Sequence, residues 1–290
     1  MTRTEPSVAV VIPTYNRREL TLRALESVFA QTRPADEVVV VDDGSTDGTA
    51  EAVSKQYPDA VVECVTHGGV SRARNRGVLA SRSEWLAFLD SDDQWRADKL
   101  ELQLEAIDGS GYRIGHCDEI WIRNGRRVNP RERHQKRGGF LYQQCLPLCC
   151  ISPSAVILER ALLDEVEGFN EALPACEDYD LWLRICFQYP VQFLNQPLVT
   201  KYGGHDDQLS RTIEAMDRYR VLALEQAFRI PAMRRTDRLA TLEILVAKLE
   251  VLRQGAAKRG LAATEVYRRK RRHYSLMLEI EEQWKHLGSR

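Results

Sequence analysis

Three carboxylates follow a short apolar segment in the first third of the chain. The segment 86–89 runs directly into Asp90, Asp92 and Asp93. Mg²⁺ and Mn²⁺ prefer oxygen ligands, and proteins commonly hold such cations with one or two carboxylates plus the phosphates of a substrate. Because parallel α/β sheets bind ligands beyond the carboxyl ends of their strands, this spacing indicates a metal-assisted phosphate site. The structural alternative is an acidic turn that caps the next helix.

Two other predicted strand ends carry side chains that could bind a nucleotide. Tyr15 follows Pro13, and its ring could stack on a nucleobase. Asp43 could accept a hydrogen bond from a base or from a ribose hydroxyl group. Each residue has a structural alternative, because Tyr15 could pack on the next helix and Asp43 could belong to an Asp-Gly turn.

Arginines crowd the start of a predicted helix after Gly68-Gly69. The free backbone amides of a helix N-terminus favour anions, so Arg72, Arg74 and Arg76 could together serve a diphosphate. Alternate helix positions cannot all face the same way, and some of these side chains must face solvent. We assign the diphosphate contact to Arg72.

Two acidic residues, Glu177 and Asp178, stand at the start of another predicted helix. If the apolar face of this helix is buried, both lie at the cleft, where a carboxylate could take a proton from an attacking hydroxyl group. Repulsion between them would raise the proton affinity of one of the two. The alternative is an acidic helix cap that the helix dipole favours.

The elements that must position these residues alternate between two hydrophobic periods. Wholly apolar segments predict buried strands, and apolar residues three and four positions apart predict helices. The predicted strands are 8–12, 38–41, 61–65 and 85–89, with helices at 17–31, 46–57 and 70–81. This order predicts an α/β fold with a mostly parallel nucleotide-binding sheet covered by helices on both faces.

Beyond residue 104 the alternation breaks down. We predict strands at 113–122, 155–158, 191–194 and 198–202, a helix at 178–188, and a hairpin turn at Asn124-Gly125. From about residue 212 the chain is helical, with apolar stripes at spacings of three and four. One stripe is Leu239, Leu242, Val246, Leu249 and Leu252, and the other is Met277, Ile280, Trp284 and Leu287.

The charge of the chain is concentrated in this tail. The net charge is −1 over 290 residues, which gives no whole-chain argument for binding nucleic acid. Residues 211–290, however, carry 18 Lys and Arg against 10 Asp and Glu. The basic run 268–272 could lie on anionic lipid, giving a peripheral membrane contact. We favour the alternative, in which the helices pack on their own domain or on a second subunit.

Cysteine usage and hydropathy indicate which cellular location to expect. The seven cysteines include no Cys-x-x-Cys pair, and nothing at the N-terminus resembles a secretion signal. No apolar run approaches the roughly 20 residues that span a bilayer. We therefore expect reduced thiols and a cytoplasmic protein, peripheral to the membrane at most.

Five motifs occur in order along the chain: 11–16 (VIPTYN), 40–47 (VVDDGSTD), 73–77 (ARNRG), 88–93 (FLDSDD) and 177–182 (EDYDLW). Together they resemble a family 2 glycosyltransferase with the GT-A nucleotide-sugar fold. The resemblance covers about residues 8–210. It implies a catalytic domain at 1–210, with a nucleotide-binding half at 1–105 and an acceptor-side half at 106–210. A helical, basic extension at 211–290 follows.

The resemblance also implies roles for individual residues. Tyr15 and Asp43 would hold the base, with Pro13 and Thr14 shaping that pocket.

At the metal site Asp92 would be the direct ligand of Mn²⁺ or Mg²⁺. Asp90 would point towards the ribose or metal-bound water, with Ser91 beside the donor. His205 could complete the coordination, which would suit Mn²⁺ better than Mg²⁺, or it could simply form part of a turn.

By the same resemblance Asp178 is the base, with Glu177 beside it. The reaction would be an inverting displacement from an α-linked nucleoside-diphosphate sugar, by default a UDP-sugar, to a β-linked product. The acceptor would be a saccharide or a lipid-linked saccharide in the assembly of bacterial-type cell-surface glycoconjugates.

Two other functions compete with this interpretation. A nucleotidyltransferase shares the sheet and the metal carboxylates but normally carries a Gly-rich phosphate loop, and neither G-x-x-x-x-G-K-[ST] nor G-x-G-x-x-G occurs in the sequence. An inactive nucleotide-sugar-binding module would keep the fold without needing both sets of acids, so the presence of Asp92 and Asp178 counts against it.

Overall fold

The computed structural model of the protein describes residues 6–129, 135–204, 213–231 and 233–287. Nine strands of these residues form one sheet: β1 (Val8–Thr14), β2 (Glu37–Asp42), β3 (Val61–Cys64), β4 (Trp85–Phe88), β5 (Gln94–Trp95), β6 (Ile114–Arg123), β7 (Arg126–Val128), β8 (Val156–Glu159) and β9 (Gln192–Gly203). The helices described are α1 (Arg18–Phe29), α2 (Thr49–Gln56), α3 (Val70–Ala80), α4 (Lys99–Ile107), α5 (Tyr142–Cys145), α6 (Arg160–Glu165), α7 (Glu177–Cys186), α8 (Asp217–Ala227), α9 (Arg235–Lys258) and α10 (Ala263–Leu287).

The sheet is parallel in its first half and mixed in its second. Its order is β3-β2-β1-β4-β8-β6-β9-β5, with β7 paired to β6. Strands β1 to β4 run parallel to one another, whereas β8 is antiparallel to both β4 and β6. Helices α1, α2 and α3 each follow a parallel strand, and the predicted α/β class is confirmed. The carboxyl ends of β1, β2 and β4 therefore meet at one edge of the sheet.

The second half contains one confirmed and one wrong local prediction. Asn124 and Gly125 form the predicted turn, both with positive φ, between the antiparallel strands β6 and β7. The two strands predicted at 191–194 and 198–202 are instead one strand, β9. The intervening polar residues and Pro197 suggested a break, but the ladder with β6 absorbs them through a register shift beside Asp118.

Helix α3 packs closely on the parallel sheet because of one glycine. A side chain at Gly77 would overlap Val11 of β1 and lie tightly against Val41 of β2. Residues three and four apart share a helix face, so Arg74 lies on the same sheet-facing side as Gly77. The contact of Gly77 with the sheet thus decides which arginine of this helix enters the interior.

Two of the C-terminal helices share a core with α7. Leu224 of α8 and Leu245 and Leu249 of α9 belong to the same buried cluster as Leu181 and Trp182 of α7. In the predicted α9 stripe Leu242, Leu249 and Leu252 are buried and the other two residues are half-buried. These helices therefore support the element that carries the predicted base.

Helix α10 is held by polar contacts as well as by part of its predicted apolar stripe, of which Met277 is half-buried. Its Tyr274 hydroxyl and its Lys270 ammonium group bind Glu225 of α8. Ile280 of the predicted stripe is 55% exposed, and the side chains of Trp284 and Leu287 lie outside the described residues. Polar anchors, rather than the apolar spacing alone, fix the rotation of this helix. Within the described residues, no helix combines the length and apolar composition that crossing a bilayer would take.

Candidate active site

A polar cavity of about 410 Å³ lies beyond the carboxyl end of β4. Its wall includes Asp90, Ser91, Asp92 and Asp93, which follow β4, and Asp178 at the start of α7. The arrangement brings the predicted metal ligands and the predicted base to the walls of a single cavity.

Each carboxylate after β4 faces a basic side chain. The closest nitrogen–oxygen distances are 2.7 Å for Arg74–Asp90, 3.2 Å for Arg17–Asp92 and 3.3 Å for Lys201–Asp93. Burial raises the pKa of Asp92, and the charge of Asp90 adds to the rise against the opposing effect of Arg17. Burial acts on Asp90 as well, but Arg74 and Lys201 outweigh it and lower the pKa of that carboxyl. Of the two carboxylates, Asp92 is thus the one whose ionised form an additional cation would stabilise more.

Arg74 joins the two acidic groups of the site. Its side chain is buried, with one guanidinium nitrogen 2.7 Å from Asp90 Oδ1 and another 2.7 Å from Glu177 Oε1. Burial alone would lower the pKa of Arg74, but the two carboxylates raise it, so the guanidinium stays charged. Because Asp90 follows β4 and Glu177 opens α7, this single residue connects the predicted metal ligands to the helix that carries the predicted base.

The two residues that open α7 differ in their surroundings. Glu177 is buried, and burial together with the charge of Asp178 raises its pKa although Arg74 works against the rise. Asp178 Oδ1 accepts the backbone N–H of Tyr179 at 2.7 Å, and Asp178 Oδ2 accepts a bond from the Cys149 thiol at 3.3 Å. Both residues line the cavity, but Glu177 is bound by Arg74, whereas the Asp178 carboxylate contacts a backbone N–H and a thiol.

A second, larger cavity of about 1000 Å³ adjoins the first and shares Pro13, Arg17, Val70 and Ser91 with it. Tyr15 and Asp43 lie on its wall. The Tyr15 ring stacks on His67, with centroids 4.2 Å apart.

Asp43 holds the loop that forms one side of this larger cavity. Its two oxygens accept the backbone N–H groups of Gly68 and Gly69 at 2.8 and 2.9 Å, and His67 Nδ1 lies 2.9 Å from Asp43 Oδ2. The Asp43 carboxylate therefore has a structural role whatever it binds in addition.

The remaining predicted site residues occupy varied positions. Thr14 is buried, with its hydroxyl 2.6 Å from that of Thr21, and it lines the larger cavity. Arg72 is exposed, and its side chain lies over Gly68 rather than on either cavity wall described. His205 lies outside the described residues.

Several residues of the site carried no assignment from sequence. They are Arg17, His67, Glu119, Lys136, Cys149 and Lys201, while Arg74 was considered only as one of three arginines that could serve a diphosphate. Lys201 could have been noticed, because it stands inside an otherwise strand-like segment and such a charge needs partners when buried. Glu119 and Lys136 form a buried ion pair, with Lys136 Nζ 3.0 Å from Glu119 Oε1. No local sequence pattern predicts this pair, because the two residues come from separate segments.

The chemistry of the donor set fits a divalent cation that binds together with a diphosphate. Asp90 and Asp92 offer hard carboxylate oxygens, and since burial and the charge of Asp90 raise the pKa of Asp92, a bound cation would favour its ionised form. Among the described residues no three His, Cys, Asp or Glu side chains are grouped to hold a metal on their own. Substrate oxygens would have to complete the coordination, as they commonly do for Mg²⁺.

Comparison with known proteins identifies curated relatives. An uncharacterized glycosyltransferase of Rickettsia felis is 29% identical over 209 residues, which are 71% of this chain and 33% of that protein. The chain thus spans about a third of the length of that relative. The Escherichia coli protein WfgD, named UDP-Glc:alpha-D-GlcNAc-diphosphoundecaprenol beta-1,3-glucosyltransferase, is 30% identical over 191 residues, 65% of this chain and 73% of its own length.

Solved structures share the fold. Staphylococcus aureus TarS 1-349 in complex with UDP-GlcNAc superposes with a TM-score of 0.71 at 20% identity, covering 97% of this chain and 92% of that one. The mannosyltransferase PcManGT of Pyrobaculum calidifontis, in complex with GDP-Man and Mn²⁺, gives a TM-score of 0.58 at 19% identity, covering 97% and 88%. The model of the family described as glycosyl transferase family 2 matches residues 9–166. With the parallel half of the sheet and the carboxylates after β4 inside that match, the chain belongs to glycosyl transferase family 2.

Proposed function

We propose that this chain is an inverting glycosyltransferase that moves a sugar from a nucleoside-diphosphate sugar, with uridine as the nucleoside, to a hydroxyl group of a saccharide acceptor. The observation that carries the proposal is the common cavity of Asp92 and Asp178. One group of that pair suits the leaving diphosphate and the other suits the attacking hydroxyl. The family match ends at residue 166, so the role of Asp178 depends on this geometry and on the motif at 177–182.

The donor would lie across both cavities. Its base would stack on Tyr15 and hydrogen-bond to Asp43 in the larger cavity, while Pro13 and Thr14 shape the pocket. Its diphosphate would reach Asp90, Ser91 and Asp92, where the two cavities join. A Mn²⁺ or Mg²⁺ ion held by Asp92 and Asp90 would neutralise charge on the leaving nucleoside diphosphate.

The chain's own groups account for the transfer of the proton. Asp178 would accept the proton of the acceptor hydroxyl as its oxygen bonds to the anomeric carbon and the bond from that carbon to the diphosphate oxygen breaks. Attack from the face opposite the leaving group would turn an α-linked donor into a β-linked product. The Arg74 bridge would hold Glu177 at 2.7 Å and leave Asp178 as the carboxylate available to the acceptor hydroxyl.

The name of WfgD describes a lipid-linked saccharide acceptor, and similarity to that protein supports an acceptor of this class for the chain. The cell-surface glycoconjugates of bacteria are assembled from such acceptors, and we propose the same setting here. A nucleotidyltransferase is not favoured, since the position of its phosphate loop is occupied by Pro13-Thr14-Tyr15-Asn16.

The proposal is tested by incubating the purified chain with UDP-, dTDP- and GDP-sugars, Mn²⁺ and a panel of alkyl glycosides. We expect release of UDP, dependence on the cation that is abolished by EDTA, and a β-linked product by NMR. Retention of the donor's configuration would contradict the single displacement. Pyrophosphate release from a nucleoside triphosphate and a sugar phosphate would instead identify a nucleotidyltransferase.

We also propose that α10 touches anionic lipid at the membrane face where such an acceptor is anchored. Exposed residues recur along it at intervals of three and four, namely Val266, Arg269, His273, Leu276 and Ile280. Three apolar side chains of this line, Val266, Leu276 and Ile280, accompany Arg269 and His273, and such a mixed apolar and basic surface fits an anionic bilayer.

The lipid contact is tested by flotation with phosphatidylglycerol vesicles. Leu276→Glu should reduce co-flotation, whereas Leu79→Glu, at an exposed leucine of α3, should not. A protein that never floats would contradict the lipid contact. A dimer that Leu276→Glu dissociates would identify a second copy of the chain, and not lipid, as the partner of this surface.

A further inference from the structure

The described partners of the proposed base include one side chain, and it is a thiol. Cys149 lies on the cavity wall with its Sγ 3.3 Å from Asp178 Oδ2. The neighbouring Cys150 also lines the cavity, but its Sγ lies 2.6 Å from Cys145 Sγ instead. Of the two thiols on this wall, Cys149 is therefore the one directed at Asp178.

The geometry points to Cys149 as a positioning residue for the reaction: its S–H group donates to Asp178 Oδ2 and holds the carboxylate with that oxygen towards the cavity. This inference rests on the proposed function, because it assigns Cys149 a purpose only if Asp178 is the base. Tyr179 N–H fixes the other oxygen, so the two bonds together define one orientation of the carboxylate.

The surroundings of Cys149 keep it a donor. Burial and the charge of Asp178 both raise the pKa of this thiol, so the sulfur retains its proton at neutral pH. The same proton has a second acceptor in the carbonyl of Ile151, 3.1 Å from the sulfur. A thiol is a weak donor, and a weak bond can orient a carboxylate without greatly reducing its ability to accept a proton.

Two substitutions of Cys149 distinguish a role in positioning Asp178 from a role in packing alone. Cys149→Ala removes the donor, and we expect kcat to fall about two- to tenfold, the range of one hydrogen bond, with an unchanged KM for the donor sugar. Loss of a bond made to the ionised base also moves the acid limb of the kcat profile to higher pH, by about half a unit to one unit. Cys149→Ser retains a donor, and a stronger one, so the acid limb should move to lower pH.

Opposite movements of the two profiles support the inference, because a general loosening of the site would move both in the same direction. Profiles and kcat values of both variants that match the wild type, or that move together, overturn it. Cys64→Ser, at an exposed thiol on the edge strand β3, is the control for loss of a cysteine and should match the wild type.

The contact itself is measured by infrared spectroscopy of the S–H stretching region. The band that disappears in Cys149→Ala should shift when Asp178→Asn replaces the carboxylate by an amide. An unchanged band overturns the contact even if the substituted proteins fold poorly. If Asp178→Asn leaves transfer intact while this band shifts, the failure lies with the proposed base and not with the contact.

Discussion

The two adjoining cavities are lined by different types of chemical group. The larger one is lined by the exposed ring of Tyr15 and by a loop whose backbone N–H groups are held by Asp43. The smaller one is lined by charged side chains, several of them buried, such as Arg74 and Glu119. The first is lined mainly by residues of the parallel half of the sheet, with 171–174 and Ile213 from later in the chain, whereas the second draws extensively on both halves.

This difference separates binding from chemistry. Backbone groups and an aromatic ring can bind a base, and they destabilise the folded protein little when the cavity is empty. Buried charges are stable only as a complete set, since removal of one partner leaves the other unpaired in a medium of low polarity. We therefore expect substitutions in the smaller cavity to affect rate or stability severely, and those in the larger cavity to affect affinity moderately.

The strongest challenge to this contrast is Asp178→Asn. The side chain keeps its size but can no longer take a proton, so transfer should fall by about 10²- to 10⁴-fold, the usual contribution of a general base. Binding of the donor should survive, because Asp178 lines only the smaller cavity. Single-turnover rates and calorimetric titration with UDP measure the two effects, and persistent turnover would remove Asp178 from the mechanism.

A second prediction compares two arginines on one helix. Arg74→Met leaves Asp90 and Glu177 without their common partner, and we expect the free energy of unfolding to fall by about 3–5 kcal/mol. Arg76→Met breaks an exposed pair with Glu63 and should cost less than about 1 kcal/mol. Urea unfolding measures both, and equal losses would refute the idea that buried charge organises the smaller cavity.

The same helix explains why sequence reasoning predicted the fold better than the site. Apolar strands followed by helices predicted the parallel half, and the strand ends directed attention to Asp90 and Asp92. Which arginine faces the interior depends on the rotation of α3, which the contact of Gly77 with β1 and β2 fixes. Counting back three positions from Gly77 leads to Arg74, but the closeness of that contact is a property of the folded sheet.

Long-range partners were out of reach for a related reason. Lys201 meets Asp93 across the sheet from β9, and β9 itself was predicted as two strands. Cys149 meets Asp178 through a loop with no helical or strand period. Local periodicity constrains neighbours in sequence, whereas these contacts join residues far apart in sequence and are set by tertiary packing.

The larger cavity gives a milder prediction. Tyr15→Ala removes a stacking surface worth about 1–3 kcal/mol, so the dissociation constant of UDP should rise by roughly five- to 150-fold. The rate at saturating donor should change little. Phe29→Ala is a matched control, because Phe29 is 43% exposed like Tyr15 and also stacks on a ring, that of Tyr57. Calorimetric titration decides between them, and an unchanged UDP affinity for Tyr15→Ala would place the base elsewhere.

The smallest effect concerns pH and a buried histidine beyond the site. His116 of β6 is fully buried, with Nε2–H donating to the carbonyl of Arg137 at 2.7 Å. Burial, assisted by Lys136, lowers the pKa of His116 to about 3. Below pH 6.5 the unfolded chain binds a proton at this position and the folded chain does not, so stability falls as the pH falls from 6.5 towards 3.

Replacing this residue isolates its share of the pH dependence. His116→Gln keeps a donor for the Arg137 carbonyl but cannot titrate, so the wild type should lose about 1 kcal/mol more than the variant between pH 6.5 and 5.5. Urea unfolding at the two pH values gives the difference directly, and other titrating groups cancel because both proteins share them. Parallel pH profiles would mean that water reaches His116 in the folded state, and that the second half of the sheet is less dry than its buried charges indicate.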